Sequence, residues 1–172
     1  YVKTFEKDMT VLLCKQKANS RLVSNIPAEV KILDEENLTL LPKAIKNPVE
    51  VENERIAHIK DGVALTKFIY WLKKNVGKIP ITELSAEEKL YSFRAQQENF
   101  IDNSFDPIIS YGKHAAIVHY FATPETDIPI EPRSFVLADT GGNYYEGTTD
   151  TTRTIVMGSV TDEEKKFFTA VL

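Results

Sequence analysis

Two aspartates, Asp139 and Asp150, are the residues of this sequence best suited to chemistry. Asp139 ends the apolar stretch 135–138, where a carboxylate is costly unless it is hydrogen-bonded, paired or bound to a metal. Asp150 opens a stretch rich in β-branched residues after a short connection that contains glycine. If these stretches are neighbouring strands, both carboxylates can face one side of the sheet. Two hard oxygen ligands there suit Mn²⁺ or Mg²⁺, and a carboxylate can bridge two cations, as in dinuclear hydrolases.

Two other interpretations of these aspartates stay open at this point. Aspartates around a hairpin are commonly turn formers or caps. Asp139 also begins the only Asp-Thr-Gly triplet, which resembles the active-site loop of aspartic proteases. Those enzymes share a proton between two such carboxylates, so this chain would have to act as a dimer. Long helices at the start of the chain fit a small all-β protease poorly.

The remaining polar candidates are two threonines and three histidines. Thr152 and Thr154 share a strand face with Asp150, where their hydroxyls can hydrogen-bond a metal-binding carboxylate, although β-propensity explains them equally well. His119 lies in an apolar stretch, where a core or sheet histidine is the more common role. We expect His58 on a helix surface and see no partner for His114.

A long helix is the first of the elements that must position these residues. Asn47 and Pro48 are typical N-cap and first helical residues, and apolar residues recur at helical spacing over 56–76 until Gly77 ends the pattern. The change in composition places a domain boundary near residue 46. Two more helices are predicted from capping patterns, one opened by Ser85 with Glu88 and the other by Thr161 with Glu164.

Strands are predicted between the later helices, over 115–121, 135–139 and 150–157, because apolar and β-branched residues dominate there. Helices followed by a cluster of strands favour an α+β fold over alternating βαβ units. Upstream, we predict a strand over 9–14 and a turn-like segment over 37–46.

Composition excludes several classes of function. A net charge of −4 argues against broad nucleic-acid binding, and no apolar stretch approaches the length that crosses a bilayer. A single cysteine, Cys14, cannot form an internal disulfide, which fits a cytoplasmic location. The first residues contain neither an initiator Met nor a signal-type segment, so we expect a chain entered midway.

Several separate segments together carry a family resemblance. They are 57–65 with 70–72, Phe93-Arg94, Ser104-Phe105, 116–120, Leu137-Ala138-Asp139-Thr140-Gly141-Gly142-Asn143-Tyr144 and Gly147-Thr148-Thr149-Asp150-Thr151-Thr152-Arg153-Thr154. These segments resemble the Xaa-Pro aminopeptidases (aminopeptidase P), metallopeptidases of the creatinase and methionine aminopeptidase type. Thr140 is one departure, since Ser or Ala is common there; we expect no consequence because the side chain is still small.

The resemblance implies a fold and an activity. Residues 47–172 are expected to form the N-terminal half of a pita-bread catalytic domain, and residues 1–46 the C-terminal end of a preceding non-catalytic α/β domain with a linker. The implied enzyme is a cytoplasmic, homodimeric exopeptidase that releases the N-terminal residue from peptides with proline in second position. It binds two divalent metal ions, expected to be Mn²⁺, with Zn²⁺ or Co²⁺ as alternatives.

The resemblance also implies residue roles. Asp139 would bind one metal and Asp150 would bridge both, His119 would hydrogen-bond the substrate, and Phe105 would wall the pocket on the proline side. The family's remaining ligands, one His and two Glu, lie in the second half of the domain. We therefore expect the 172 residues alone to hold metal weakly, to be inactive and to self-associate. A non-catalytic pita-bread module that binds proteins is the alternative, although the intact aspartate pair favours an enzyme.

Overall fold

A computed structural model describes all 172 residues, which divide into two compact units, Tyr1–Asn47 and Pro48–Leu172. The first unit contains a short 3₁₀ helix and two parallel strands with two short helices: Val2–Thr4, β1 (Thr10–Leu13), α1 (Ser20–Ser24), β2 (Lys31–Asp34) and α2 (Leu40–Ala44). The strand predicted over 9–14 is confirmed. The segment predicted as turn-like over 37–46 instead contains α2, which tolerates Pro42 because the first helical turn has no use for its missing N–H.

The helices of the second unit are α3 (Pro48–Asn75), α4 (Glu83–Arg94) and α5 (Asp162–Val171). The long helix is confirmed, and Gly77 follows it with a φ of 75°, a conformation that favours glycine. The capping box of Thr161 and Glu164 is also confirmed. The predicted start of α4 was wrong, because Thr82 is its N-cap and Ser85 is the third helical residue of that capping box.

The strands of the second unit form two small antiparallel sheets. One pairs β3 (Phe100–Asn103) with β6 (Gly142–Tyr144), and the other has the order β4 (Ile108–Tyr111), β5 (Phe135–Thr140), β7 (Thr151–Val156). The strands predicted over 135–139 and 150–157 are therefore confirmed.

The strand predicted over 115–121 was wrong. A 3₁₀ helix, Gly112–Ala116, follows β4 directly, and residues 117–121 belong to no strand. Gly112 and His119 have φ values of 55° and 57°, which extended backbone does not adopt. Apolar and β-branched composition favours a strand only where a neighbouring strand completes the backbone hydrogen bonds, and this segment has no such neighbour.

The core of the second unit lies between α3, α4 and one face of the β4–β5–β7 sheet. It is built from Leu65, Phe68, Leu72, Leu90, Ile109, Val136, Ala138 and Ile155, among others. The α+β class predicted from the sequence is thus confirmed. None of the helices combines the length and the apolar character that a membrane span requires.

Candidate metal centre

The register of the β4–β5–β7 sheet brings Asp139 close to the start of β7, which Asp150 directly precedes. Thr152 lies directly opposite Asp139, and Asp150 precedes Thr152 by two residues. Side chains two residues apart along a strand share a face, and such diagonal neighbours on antiparallel strands are about 7–8 Å apart. Val136, Ala138 and other core residues occupy the opposite face of the sheet. Asp139 therefore lies on the face turned away from the core, and strand alternation continued back from Thr152 would place the Asp150 carboxylate on the same face.

The surroundings of the two aspartates leave their carboxylates available to a cation. The Thr152 hydroxyl donates to Asp139 Oδ1 at 2.7 Å. No lysine, arginine or histidine forms a salt bridge with Asp139 or Asp150. Thr154 lies opposite Leu137 rather than Asp139. Of the two threonines singled out in the sequence, Thr152 is thus the one that contacts a carboxylate.

A short hairpin carries the chain from Asp139 to Asp150. Gly142 N–H donates to the Thr149 hydroxyl at 2.9 Å, and Thr149 N–H donates to the Gly142 carbonyl at 2.9 Å. A Cβ atom on Gly141 would lie 2.0 Å from the Thr149 carbonyl oxygen and 2.2 Å from Ser104 Oγ. Only glycine permits this close approach of the two arms, which returns Asp150 to the neighbourhood of Asp139.

The tip of that hairpin is held by charge. Lys60 Nζ on α3 lies 2.7 Å from Glu146 Oε1, and Asn99 Nδ2 donates to the same oxygen at 2.8 Å. These hydrogen bonds lower the pKa of Glu146, the one from Lys60 having the larger effect and the one from Asn99 the smaller. The tip is therefore tied to α3 by an ionised carboxylate at neutral pH.

A buried polar network underlies the strand that carries Asp139. Arg94 is 0% exposed and donates through Nε to Asp61 Oδ1 at 2.7 Å and through Nη2 to the Thr140 hydroxyl at 2.9 Å. The Tyr144 hydroxyl donates to Asp61 Oδ1 at 3.1 Å, and burial together with the Asp61 charge raises the pKa of Tyr144. Thr140 therefore contributes its hydroxyl as well as its small size, and since a serine would keep that hydroxyl, our expectation that the departure at this position is of no consequence stays a prediction.

The sequence contained only an indirect signal for this network. Asp61 and Arg94 fall among apolar residues at helical spacing, which indicates buried positions, but they are 33 residues apart. Nothing local in the sequence shows that they pair.

The other predicted site residues have different surroundings. His119 is exposed, and no hydrogen bond or ion pair joins it to either aspartate. Phe105 is half-buried and precedes Ile108, the residue opposite Asp139, by three positions. The substrate-binding roles of His119 and Phe105 stay predictions. His114, for which the sequence suggested no partner, lies with Nδ1 3.0 Å from the buried carboxylate of Glu83.

The donor set fits part of a metal site. Two aspartate carboxylates on one sheet face are hard oxygen donors, which suit divalent cations. No group of three or more His, Cys, Asp or Glu side chains is placed to hold a metal ion. Since affinity rises with the number of pre-positioned ligands, a tightly held ion here would need ligands beyond these two aspartates.

Comparison with known proteins decides the family. Residues 52–172 match metallopeptidase family M24. The chain belongs to this family. The probable Xaa-Pro aminopeptidase P of Paracoccidioides brasiliensis (strain Pb03) is 46% identical over 132 residues, which are 76% of this chain and 21% of that protein. The protein of the same description from Coccidioides posadasii (strain RMSCC 757 / Silveira) is 40% identical over 162 residues, 93% of this chain and 26% of that protein.

Solved structures agree with the assignment. The X-prolyl aminopeptidase from Caenorhabditis elegans, described as a cytosolic enzyme with a di-nuclear active site, superposes with a TM-score of 0.82 at 31% identity over 90% of this chain and 25% of that one. The prolidase from Pyrococcus furiosus superposes with a TM-score of 0.71 at 23% identity over 95% of this chain and 46% of that one. The predicted partial pita-bread fold is confirmed. The chain spans about a fifth to a quarter of the length of the curated relatives it matches.

Proposed function

We propose that this chain carries two of the metal-binding carboxylates of a dinuclear Xaa-Pro aminopeptidase. The observation that carries the proposal is that Asp139 lies opposite Thr152, two residues after Asp150, that the Thr152 hydroxyl donates to Asp139, and that no basic side chain forms a salt bridge with either aspartate. Membership of a metallopeptidase family and relatives described as Xaa-Pro aminopeptidases support it. The whole protein would release the N-terminal residue from peptides whose second residue is proline.

The residues of this chain then have separate tasks. Asp139 would hold one metal ion and Asp150 would bridge two. When bound, two divalent cations, which we expect to be Mn²⁺, supply a nucleophile at neutral pH and polarise the peptide carbonyl. Thr152 orients the Asp139 carboxylate by donating to Oδ1.

Substrate selection falls to other side chains of this chain. A proline imide has no N–H and a fixed φ, so it is recognised by shape rather than by a backbone hydrogen bond. We assign Phe105 to the wall of that pocket and His119 to a hydrogen bond with the substrate. We also expect a cytoplasmic homodimer, and the description of the Caenorhabditis elegans relative as cytosolic supports the location.

Hydrolysis of an Xaa-Pro peptide with added Mn²⁺ tests the proposal. The assay compares residues 1–172 with a full-length protein that contains them, and then with the full-length variants Asp150→Asn and Asp8→Asn. We expect activity in the full-length protein and none in residues 1–172, because two carboxylates bind Mn²⁺ weakly. Asp150→Asn should abolish turnover, whereas Asp8→Asn, an exposed aspartate of the first unit, should not change it.

Two results would overturn the proposal. Turnover by residues 1–172 alone would contradict the requirement for further ligands, and turnover by Asp150→Asn would contradict the bridging role. A full-length protein that neither cleaves the peptide nor binds Mn²⁺ would favour the alternative of a non-catalytic protein-binding module.

A further inference from the structure

The guanidinium of Arg94 joins four elements of the second unit. From the end of α4 it donates to both oxygens of Asp61 on α3, at 2.7 and 3.3 Å. It donates to Thr140 at the end of β5 at 2.9 Å and to the Asn103 side chain of β3 at 3.4 Å. Side chains of Arg94 and Asp61 are 0% and 3% exposed. A fully buried charge that donates to four acceptor atoms on three side chains holds those side chains in one arrangement.

Stability alone does not account for this ion pair. Taking two charges out of water costs several kcal/mol per ion, and well-packed apolar residues often replace such a pair without loss. The pair instead lies beside the proposed metal site, because Thr140, which accepts a hydrogen bond from Arg94, directly follows Asp139. Successive residues of a strand point to opposite faces, so a bond that fixes the Thr140 side chain on the core face also fixes the direction of Asp139 on the open face.

The Arg94–Asp61 pair also holds the far end of the segment that follows Asp139, at Tyr144. The Tyr144 hydroxyl donates to Asp61 Oδ1 at 3.1 Å, which ties β6 to α3. Both ends of the stretch from Thr140 to Tyr144 are thereby attached to one ion pair. This stretch is the first arm of the hairpin that returns the chain to Asp150.

The second aspartate is reached through β3. Ser104, the residue after Asn103, donates from its hydroxyl to the carbonyl of Thr149 at 2.8 Å, and its N–H donates to the Gly141 carbonyl at 3.1 Å. Thr149 directly precedes Asp150. The residue adjoining each aspartate is therefore anchored to groups around Arg94.

We propose that the Arg94–Asp61 pair is a positioning device that fixes Asp139 through the Thr140 hydroxyl and the following hairpin through Tyr144. This inference rests on the proposed function, since it assigns the device to the metal-binding geometry of Asp139. Arg94 and Thr140 would not touch metal or substrate; they would act through the strand.

The test uses a full-length protein with Thr140→Val, which keeps the shape and removes the hydroxyl, and Thr140→Ser, which keeps the hydroxyl. Val136→Ala is the matched control, because Val136 lies on the same face of the same strand and its apolar side chain accepts no hydrogen bond from Arg94. Mn²⁺ dissociation constants are measured by electron paramagnetic resonance below the unfolding temperature of each variant. Amide hydrogen exchange of residues 139–141 is measured on the metal-free proteins.

We expect Thr140→Val to weaken Mn²⁺ binding about 10–100-fold, the range for removing a group that orients a metal ligand. Exchange at 139–141 should accelerate in the same variant. Thr140→Ser should restore both quantities, and Val136→Ala should lower the unfolding temperature while leaving the Mn²⁺ dissociation constant unchanged. Parent-like Mn²⁺ binding in Thr140→Val, or an equal loss in Val136→Ala, would overturn the proposal.

Two further measurements separate failure of this proposal from failure of a variant to fold and from failure of the proposed function. If Thr140→Val does not fold, Tyr144→Phe removes the other tether and should weaken Mn²⁺ binding several-fold; an unchanged dissociation constant would contradict the device. If the parent protein itself does not bind Mn²⁺, the proposed function fails, while exchange at 139–141 in the metal-free variants still decides whether Arg94 holds the strand.

Discussion

The two faces of strand β5 differ sharply although their residues alternate along one chain. On the core face, Val136, Ala138 and Thr140 are all 0% exposed. On the other face, Phe135, Leu137 and Asp139 all retain some exposure to solvent. The comparison shows that stability and chemistry are assigned to adjacent residues. One face supplies the burial that holds the strand, and the other presents the Asp139 carboxylate to solvent.

The open face is also apolar beyond the aspartates. A groove of about 890 Å³ runs between the sheet and α5, with the rings of Phe135 and Phe168 stacked at 5.5 Å between centroids. Phe167 on α5 is 60% exposed. The self-association that we predict for residues 1–172 follows from such a surface, because contiguous exposed apolar area promotes association.

The largest effect is expected when the buried charge of the core face is broken. Arg94→Met should cost about 3–5 kcal/mol of unfolding free energy, because it leaves the Asp61 carboxylate buried without its cation. Chemical denaturation measures this loss. The double variant Asp61→Leu with Arg94→Met should recover part of it, since no charge is then stranded. A loss below about 1 kcal/mol for Arg94→Met would show that entering water or a shift of the surrounding protein solvates the Asp61 carboxylate in place of the guanidinium.

A change on the open face should act on metal affinity instead. Thr152→Val removes the hydroxyl that donates to Asp139 Oδ1, so Mn²⁺ affinity of a full-length protein should fall about 10–100-fold. Thr152 is exposed, so the free energy of unfolding should stay within about 0.5 kcal/mol of the parent. Calorimetric titration and denaturation measure the two quantities. The distinction between the faces breaks down if stability falls while affinity does not.

Neighbouring truncations on β5 compare the faces directly. Val136→Ala should cost about 2 kcal/mol, because two buried methyl groups at about 0.8 kcal/mol each are lost and a cavity remains. Leu137→Ala removes more carbon but should cost less, since Leu137 lies on the half-exposed face. Denaturant unfolding of both variants gives the order of the two losses, and the reverse order would contradict the assignment of the faces.

The smallest effect concerns the tether at the hairpin tip. The pKa of Glu146 is lowered chiefly by its hydrogen bond from Lys60, so its carboxylate contributes stability above its ordinary pKa and loses it as the pH falls through the lowered value. The unfolding temperature of the parent should exceed that of Glu146→Gln at neutral pH, and the difference should vanish in strong acid. Lys60→Met should lose a similar amount at neutral pH. A difference that is constant with pH would exclude an ionised tether.

The sequence predicted those features that depend on local spacing. The long helix, the capping box at Thr161, the strand that ends with Asp139 and Thr140, and the strand that follows Asp150 come from periodicity and propensity, and each is confirmed. The family follows from the order of short motifs.

What the sequence did not reveal depends on partners distant in the chain. Residues 115–121 have strand composition but no strand to pair with, and Arg94 finds Asp61 only when α3 and α4 pack. The role of the Thr140 hydroxyl likewise appears only once the buried guanidinium is in place. Side-chain size and secondary-structure propensity do not indicate which distant residues come into contact in the fold.

We propose that Asp139 and Asp150 share a metal site on the open face of the sheet. Anomalous diffraction at the manganese edge, from crystals of a full-length protein grown with Mn²⁺, tests it most directly. We expect anomalous peaks within bonding distance of oxygens from both Asp139 and Asp150. Carboxylates that point apart or pair with lysine or arginine, with no anomalous peak beside them, would contradict it.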